Sequence, residues 1–110
     1  MGAEVVELVP FRFNLVNTPE LKGEFKAASA SRGVPIGNCS LNANFLMLTE
    51  ERYEAEIDRV KSHIDMVSDM EIPTIRVDSA AFSRPMSENT MEKFQAELPI
   101  IVETYERLCD

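Results

Sequence analysis

Short β-rich runs alternate with longer stretches of helical periodicity along this chain, and no other feature limits its fold as strongly. Val5-Val6-Glu7-Leu8-Val9 is the first such run. It stops at Pro10, which has no N–H to donate to a strand ladder. Ile36-Gly37-Asn38-Cys39-Ser40 is the second and Thr74-Ile75-Arg76-Val77-Asp78 the third. A helical pattern follows each. Strand–helix–strand alternation predicts parallel pairing through crossover helices. The fold class expected is α/β, with three parallel β/α units across residues 1–110.

The helix ends carry their own signals. Thr18 is a suitable N-cap, Pro19 suits the first helical position and Glu20 complements the helix dipole. Leu21, Phe25 and Ala28 then keep helical spacing until Gly33, a C-terminal cap residue. Thr49-Glu50-Glu51 opens the second helix, and Ile57, Val60, Ile64 and Val67 form its apolar stripe. That stripe predicts His63 beside it on the helix surface. After a loop containing Arg84-Pro85, Ser87 or Asn89 caps a third helix. Phe94, Leu98, Ile101, Tyr105 and Leu108 keep its period, and Pro99 interrupts its hydrogen bonding. The segments Ser31-Arg32-Gly33-Val34-Pro35 and Asp69-Met70-Glu71-Ile72-Pro73 echo each other ahead of the second and third strands.

Composition excludes several classes. Basic residues number 11 against 19 acidic, a net charge of −8. Such a surface repels phosphate backbones, so no nucleic-acid partner is expected. No 18-residue apolar run exists, so no membrane span is expected. The N-terminal stretch has Glu4 and no basic start, unlike a secretory signal. Cys39 and Cys109 lie far apart and form no CxxC or zinc spacing, which fits reduced thiols in the cytoplasm. His63 is the only histidine. A zinc site needs three or four ligands, and a nucleophilic Ser40 or Cys39 needs a base nearby. Neither requirement is met. The methionines form no stripe and read as packing residues.

Strand alternation sorts the polar residues. Ile75 and Val77 share one face of the third strand, while Thr74, Arg76 and Asp78 share the other. If helices cover the apolar face, Arg76 and Asp78 point to the opposite side, where Asn38, Ser40 and Glu7 also point. In a barrel that side is the interior, and active sites lie at its C-terminal mouth. An ion pair between Glu7 and Arg76 is expected, either structural or ligand-binding. Asn42-Ala43-Asn44 follows a strand and suits hydrogen bonding to a ligand and turn chemistry equally.

The stretches Asn17-Thr18-Pro19-Glu20-Leu21-Lys22, Arg32-Gly33-Val34-Pro35-Ile36 and Asn38-Cys39-Ser40, then Ile72-Pro73-Thr74-Ile75-Arg76-Val77-Asp78 and the helix from Met91 to Leu108, together resemble the sugar phosphate isomerase/epimerase family. Its fold is the xylose isomerase-like TIM barrel. The resemblance implies a partial barrel covering about strands two to four of eight. It implies a sugar or sugar-phosphate substrate and a divalent metal (Mg, Mn or Zn) held by strands five to eight, which this sequence lacks. On that reading Glu7, Asn38, Ser40, Asn42, Arg76 and Asp78 line the substrate pocket, and this segment alone holds no metal, has no assigned catalytic residue and is not active by itself. The other reading is a truncated, non-catalytic fragment or assembly module, self-associating through exposed sheet edges. Relatives often carry a helix-capping glycine where this chain has Glu71. A positive φ there would make Glu71 destabilising.

Overall fold

The computed structural model describes residues 2–10, 14–46, 48–78, 87 and 90–109. Six elements alternate: β1 (Val6–Leu8), α1 (Glu20–Arg32), β2 (Ile36–Leu41), α2 (Glu50–Asp69), β3 (Ile75–Val77) and α3 (Met91–Cys109). The strands form one parallel sheet in the order β1-β2-β3. The molecule is therefore a mixed α/β protein. None of its described helices is long and apolar enough to cross a membrane.

The chain divides into two compact units. One comprises Met1–Leu41 and Ser62–Val77, the other Asn42–Lys61 and Asp78–Asp110. The first holds the sheet, α1 and the second half of α2. Its core is Leu8, Leu15, Cys39, Met66, Val67, Met70 and Ile72, with Leu21, Phe25, Ile36 and Ile75 packed against it. The apolar face of the sheet thus meets both helices, as alternation predicts. The burial of these side chains supplies most of the unit's stability.

One irregularity sets the register. Val6 pairs with Ile36, but the next residue, Glu7, pairs with Asn38. β2 spends two residues where β1 spends one, and Gly37 is the surplus. A Cβ at Gly37 would sit directly on Val5 Cγ2, so any larger residue there would displace the Val5 side chain.

The helix ends follow partly different rules from those expected. α1 opens through bonds from Leu21 N to the Thr18 carbonyl and Lys22 N to the Pro19 carbonyl, both 3.1 Å, and no side chain caps it. The hydroxyl of Thr18 is not used in this way. Asn14 Oδ1 instead accepts the N–H groups of Val16 and Asn17 in the preceding turn. At the other end Gly33 is left-handed, φ 65°. Its N–H reaches Ala30 O and that of Val34 reaches Ser29 O, the paired bonds of a Schellman cap. The end of α2 repeats the motif. Glu71 N bonds Ser68 O, Ile72 N bonds Val67 O, and Glu71 has φ 59°.

Thr49 caps α2 as expected, accepting from Arg52 N. His63 is buried, not on the helix surface. The inward stripe runs Ile57, Val60, His63, Met66–Val67, Met70, in steps of three, so the turn after Val60 presents His63 more deeply than Ile64. α3 is capped by Thr90, whose Oγ1 accepts from Lys93 N at 3.2 Å. Asn89 and the Arg84-Pro85 loop lie outside the described residues.

The second unit joins α3 to the first half of α2. Tyr53 Oη and Thr104 Oγ1 are 2.8 Å apart. Thr104, buried, also reaches Ile100 O at 2.7 Å. Arg107 grips Glu54 through two bonds of 2.8 and 2.7 Å and lies 5.5 Å from the centre of the Tyr53 ring. Phe45 meets the same ring edge-on.

Candidate functional site

Directly behind the apolar face of the sheet, the alternate side chains form a polar surface. Glu7 and Asn38 are cross-strand partners, as are Ser40 and Arg76. In-register neighbours of parallel strands project to the same side, so four of the six expected site residues come together in the first unit.

Glu7, Asn38 and Ser40 are joined, together with Thr74, by a directed set of hydrogen bonds. Asn38 Nδ2 donates to Glu7 Oε1 at 2.6 Å and to Ser40 Oγ at 3.2 Å. Ser40 Oγ donates to the same Glu7 oxygen. Thr74 Oγ1 lies 2.7 Å from Asn38 Oδ1 and 2.9 Å from the Gly37 carbonyl, where its proton serves either acceptor. The chain of donors therefore runs from Thr74 through Asn38 and Ser40 to the carboxylate. Ser40 is the buried member, and Glu7 is exposed.

These bonds stabilise the charged form of Glu7. The Ser40 hydroxyl, then the Asn38 amide, hold its pKa below the ordinary carboxylate value, and the charge of Arg76 adds a smaller effect. The expected Glu7–Arg76 ion pair is thus a longer-range attraction. The groups bonded to Glu7 are Asn38 and Ser40. A carboxylate held ionised is a weak proton acceptor but a good hydrogen-bond acceptor. This face suits binding of donors such as hydroxyls better than proton transfer. Behind it, burial pushes the Cys39 thiol pKa up, with the Glu7 charge adding to that, so the thiol stays protonated and inert.

Asn42 and Asp78, the residues just past β2 and β3, belong to the second unit. The carbonyl of Asn42 accepts Arg59 Nη2 at 2.6 Å. Asn44 bonds both the N–H and the carbonyl of Leu46, which is turn chemistry. Glu56 accepts Asn44 N and pairs with Arg59, pinning this loop to α2. Thr74 is the member of the polar face that was not nominated as a site residue. Its signal was present, since it alternates with Ile75 on the Arg76 side.

No three His, Cys, Asp or Glu side chains among the described residues are placed to hold a metal ion. The cluster on the sheet offers one carboxylate whose bonded oxygen already accepts two donors, and Asn38 turns its NH2 toward it. That donor set does not fit a divalent cation.

No family model, curated protein or solved structure matches the chain. What its own coordinates define is an α/β protein built on a three-stranded parallel sheet, with one face packed on helices and the other carrying a bonded polar cluster.

Proposed function

We propose that this chain is a segment of a β/α barrel of the sugar isomerase/epimerase kind, and that the polar face of its sheet contributes to binding a sugar or sugar phosphate. The observation that carries this is the Thr74–Asn38–Ser40–Glu7 set of hydrogen bonds, with Arg76 in register beside Ser40. Glu7 offers a fixed anionic acceptor to sugar hydroxyls. Arg76 offers a guanidinium to a hydroxyl or a phosphate. Parallel strands with helices on one face and polar residues on the other match the wall of such a barrel. In this role the segment positions substrate, and the chemistry belongs to groups outside it.

Titration of the 15N-labelled chain with a panel of aldoses, ketoses and their phosphates, to the order of 10 mM, tests the reading. The Asn38 side-chain amide and the Ser40 and Arg76 backbone signals should shift with a subset of the panel. Glu7→Gln should weaken those shifts. If no sugar moves them, the sugar reading fails. The second reading, a non-catalytic assembly module, is favoured by a separate observation: Val5, Val6 and Val9 on and around the edge strand are 55%, 42% and 50% exposed.

A further inference from the structure

Among the described residues two apolar surfaces lack a cover, and their charges are complementary. The first is a cleft of about 360 Å³ between β1 and α1, lined by Val6, Leu8, Phe25, Ala28 and Ile36, with Arg32 as its cation. Arg32 makes no ion pair among the described residues. Glu7, which also lines the cleft, already has its carboxylate bonded to Asn38 and Ser40. β1 is at the edge of the sheet, so no strand among the described residues shields this side.

The second surface is on α3. Met91, Phe94, Leu98 and Val102 recur at helical spacing and are 69%, 50%, 41% and 49% exposed. Glu92, Glu103 and Glu106 flank one side of that stripe, all exposed and without an ion pair among the described residues. An apolar stripe bordered by unpaired carboxylates thus faces solvent on one element. An apolar cleft with an unpaired arginine opens on another. The sizes agree as well. An apolar cavity of about 150 Å³ accepts a benzene ring, so the larger cleft accommodates the ring of Phe94 together with an aliphatic neighbour such as Leu98.

We propose that the chain self-associates head to tail, the α3 stripe of one copy seated in the β1/α1 cleft of the next, with Arg32 meeting the glutamates beside the stripe. The proposal is independent of the sugar reading. Each copy uses two different surfaces, so the contact is heterologous and propagates until a ring closes or a filament grows. The surface at stake is the β1/α1 cleft, not the bare strand edge, because the cleft supplies the apolar walls that an edge lacks.

Sedimentation velocity on the full chain, under reductant because Cys109 is exposed, measures the mass against concentration. The wild type should pass beyond the dimer as concentration rises. Phe94→Glu removes the stripe and Ala28→Glu blocks the cleft. Both positions are exposed, so folding should survive, and far-UV circular dichroism verifies it. Each variant alone should associate about 10- to 100-fold more weakly, the effect of losing one buried apolar contact. The mixture is decisive. Phe94→Glu keeps an intact cleft and Ala28→Glu an intact stripe, so together they should form a dimer and stop there. Arg32→Glu should weaken wild-type association, and Glu103→Arg in the same chain should restore part of it. A wild type that stays monomeric at all concentrations overturns the proposal. So does a mixture that forms no dimer, or variants that assemble as the wild type does.

Discussion

Replacing Glu71 with glycine should stabilise this protein, although it deletes a side chain and an ion pair. Glu71 is the sole described non-glycine residue with positive φ, at 59°, and it closes α2 through the same pair of bonds by which Gly33, at φ 65°, closes α1. An L-residue in that conformation costs about 1–2 kcal/mol, because Cβ crowds the neighbouring carbonyl. Glycine removes that cost but adds about 0.4–1 kcal/mol of freedom to the unfolded chain. The Lys26–Glu71 pair, 3.7 Å apart with side chains 48% and 83% exposed, contributes a few tenths of a kcal/mol. The balance for Glu71→Gly is a gain of about 0.5 kcal/mol, or a rise in melting temperature of about 2–4 °C. Gly33→Ala is the mirror experiment. A Cβ there meets no atom within 4 Å, so its cost is conformational only. It should lose about 1 kcal/mol. Urea denaturation at pH 7 of both variants, with Lys26→Ala to isolate the ion pair, provides the measurement. A destabilised Glu71→Gly, or a neutral Gly33→Ala, would refute the reasoning.

Three further outcomes follow from the bonding described above. Thr104→Val removes two bonds of a buried hydroxyl, to Tyr53 and to Ile100 O, and should cost about 1 kcal/mol, whereas Tyr53→Phe leaves Thr104 bonded to Ile100 O and should cost less; thermal melts of the two rank them. Arg107→Ala removes a bidentate carboxylate contact and a cation–π contact near the surface, and urea unfolding should register a lower midpoint than the wild type. Glu7 and Glu54 both have pKa values lowered in the folded state, Glu7 by Ser40 and Asn38 and Glu54 by Arg107. Each therefore contributes stability that is complete above the unfolded-chain value of about 4.3 and is lost as pH falls through the lower folded value. Stability measured from pH 7 down to pH 3 should fall through that window, and Glu7→Gln should flatten part of the fall.

The sequence made one kind of information legible and withheld another. Strand facing was readable, because period-two alternation in Ile75-Arg76-Val77 leaves only one way to bury the aliphatic pair. The caps at Gly33 and Thr49 were readable for the same local reason. Thr18 was misleading: Asn14 organises the turn before α1, and the first helical bonds close without the Thr18 hydroxyl. His63 departs from expectation because a 3.6-residue period does not decide between two adjacent positions at the margin of a stripe, and in the fold His63 is buried while Ile64 is only half-buried. The site was half visible. Alternation placed Glu7, Asn38, Ser40 and Arg76 on one side, but the identity of the groups bonded to Glu7 depends on a cross-strand offset that no local pattern encodes.

That offset has a wider implication. Ile36 and Cys39 both reach the core although three positions separate them, an odd interval that a regular strand would send to opposite sides. The surplus peptide at Gly37 reconciles the two, and in doing so it aims Asn38 and Ser40 at Glu7. Were Gly37 drawn into a regular zigzag instead of the bulge, the roles of all that follows in β2 would interchange: Asn38 and Ser40 would turn toward the helices, and Cys39 and Leu41 would turn outward. The chemistry of the sheet's open face is therefore written in chain length at one point as much as in the side chains that display it.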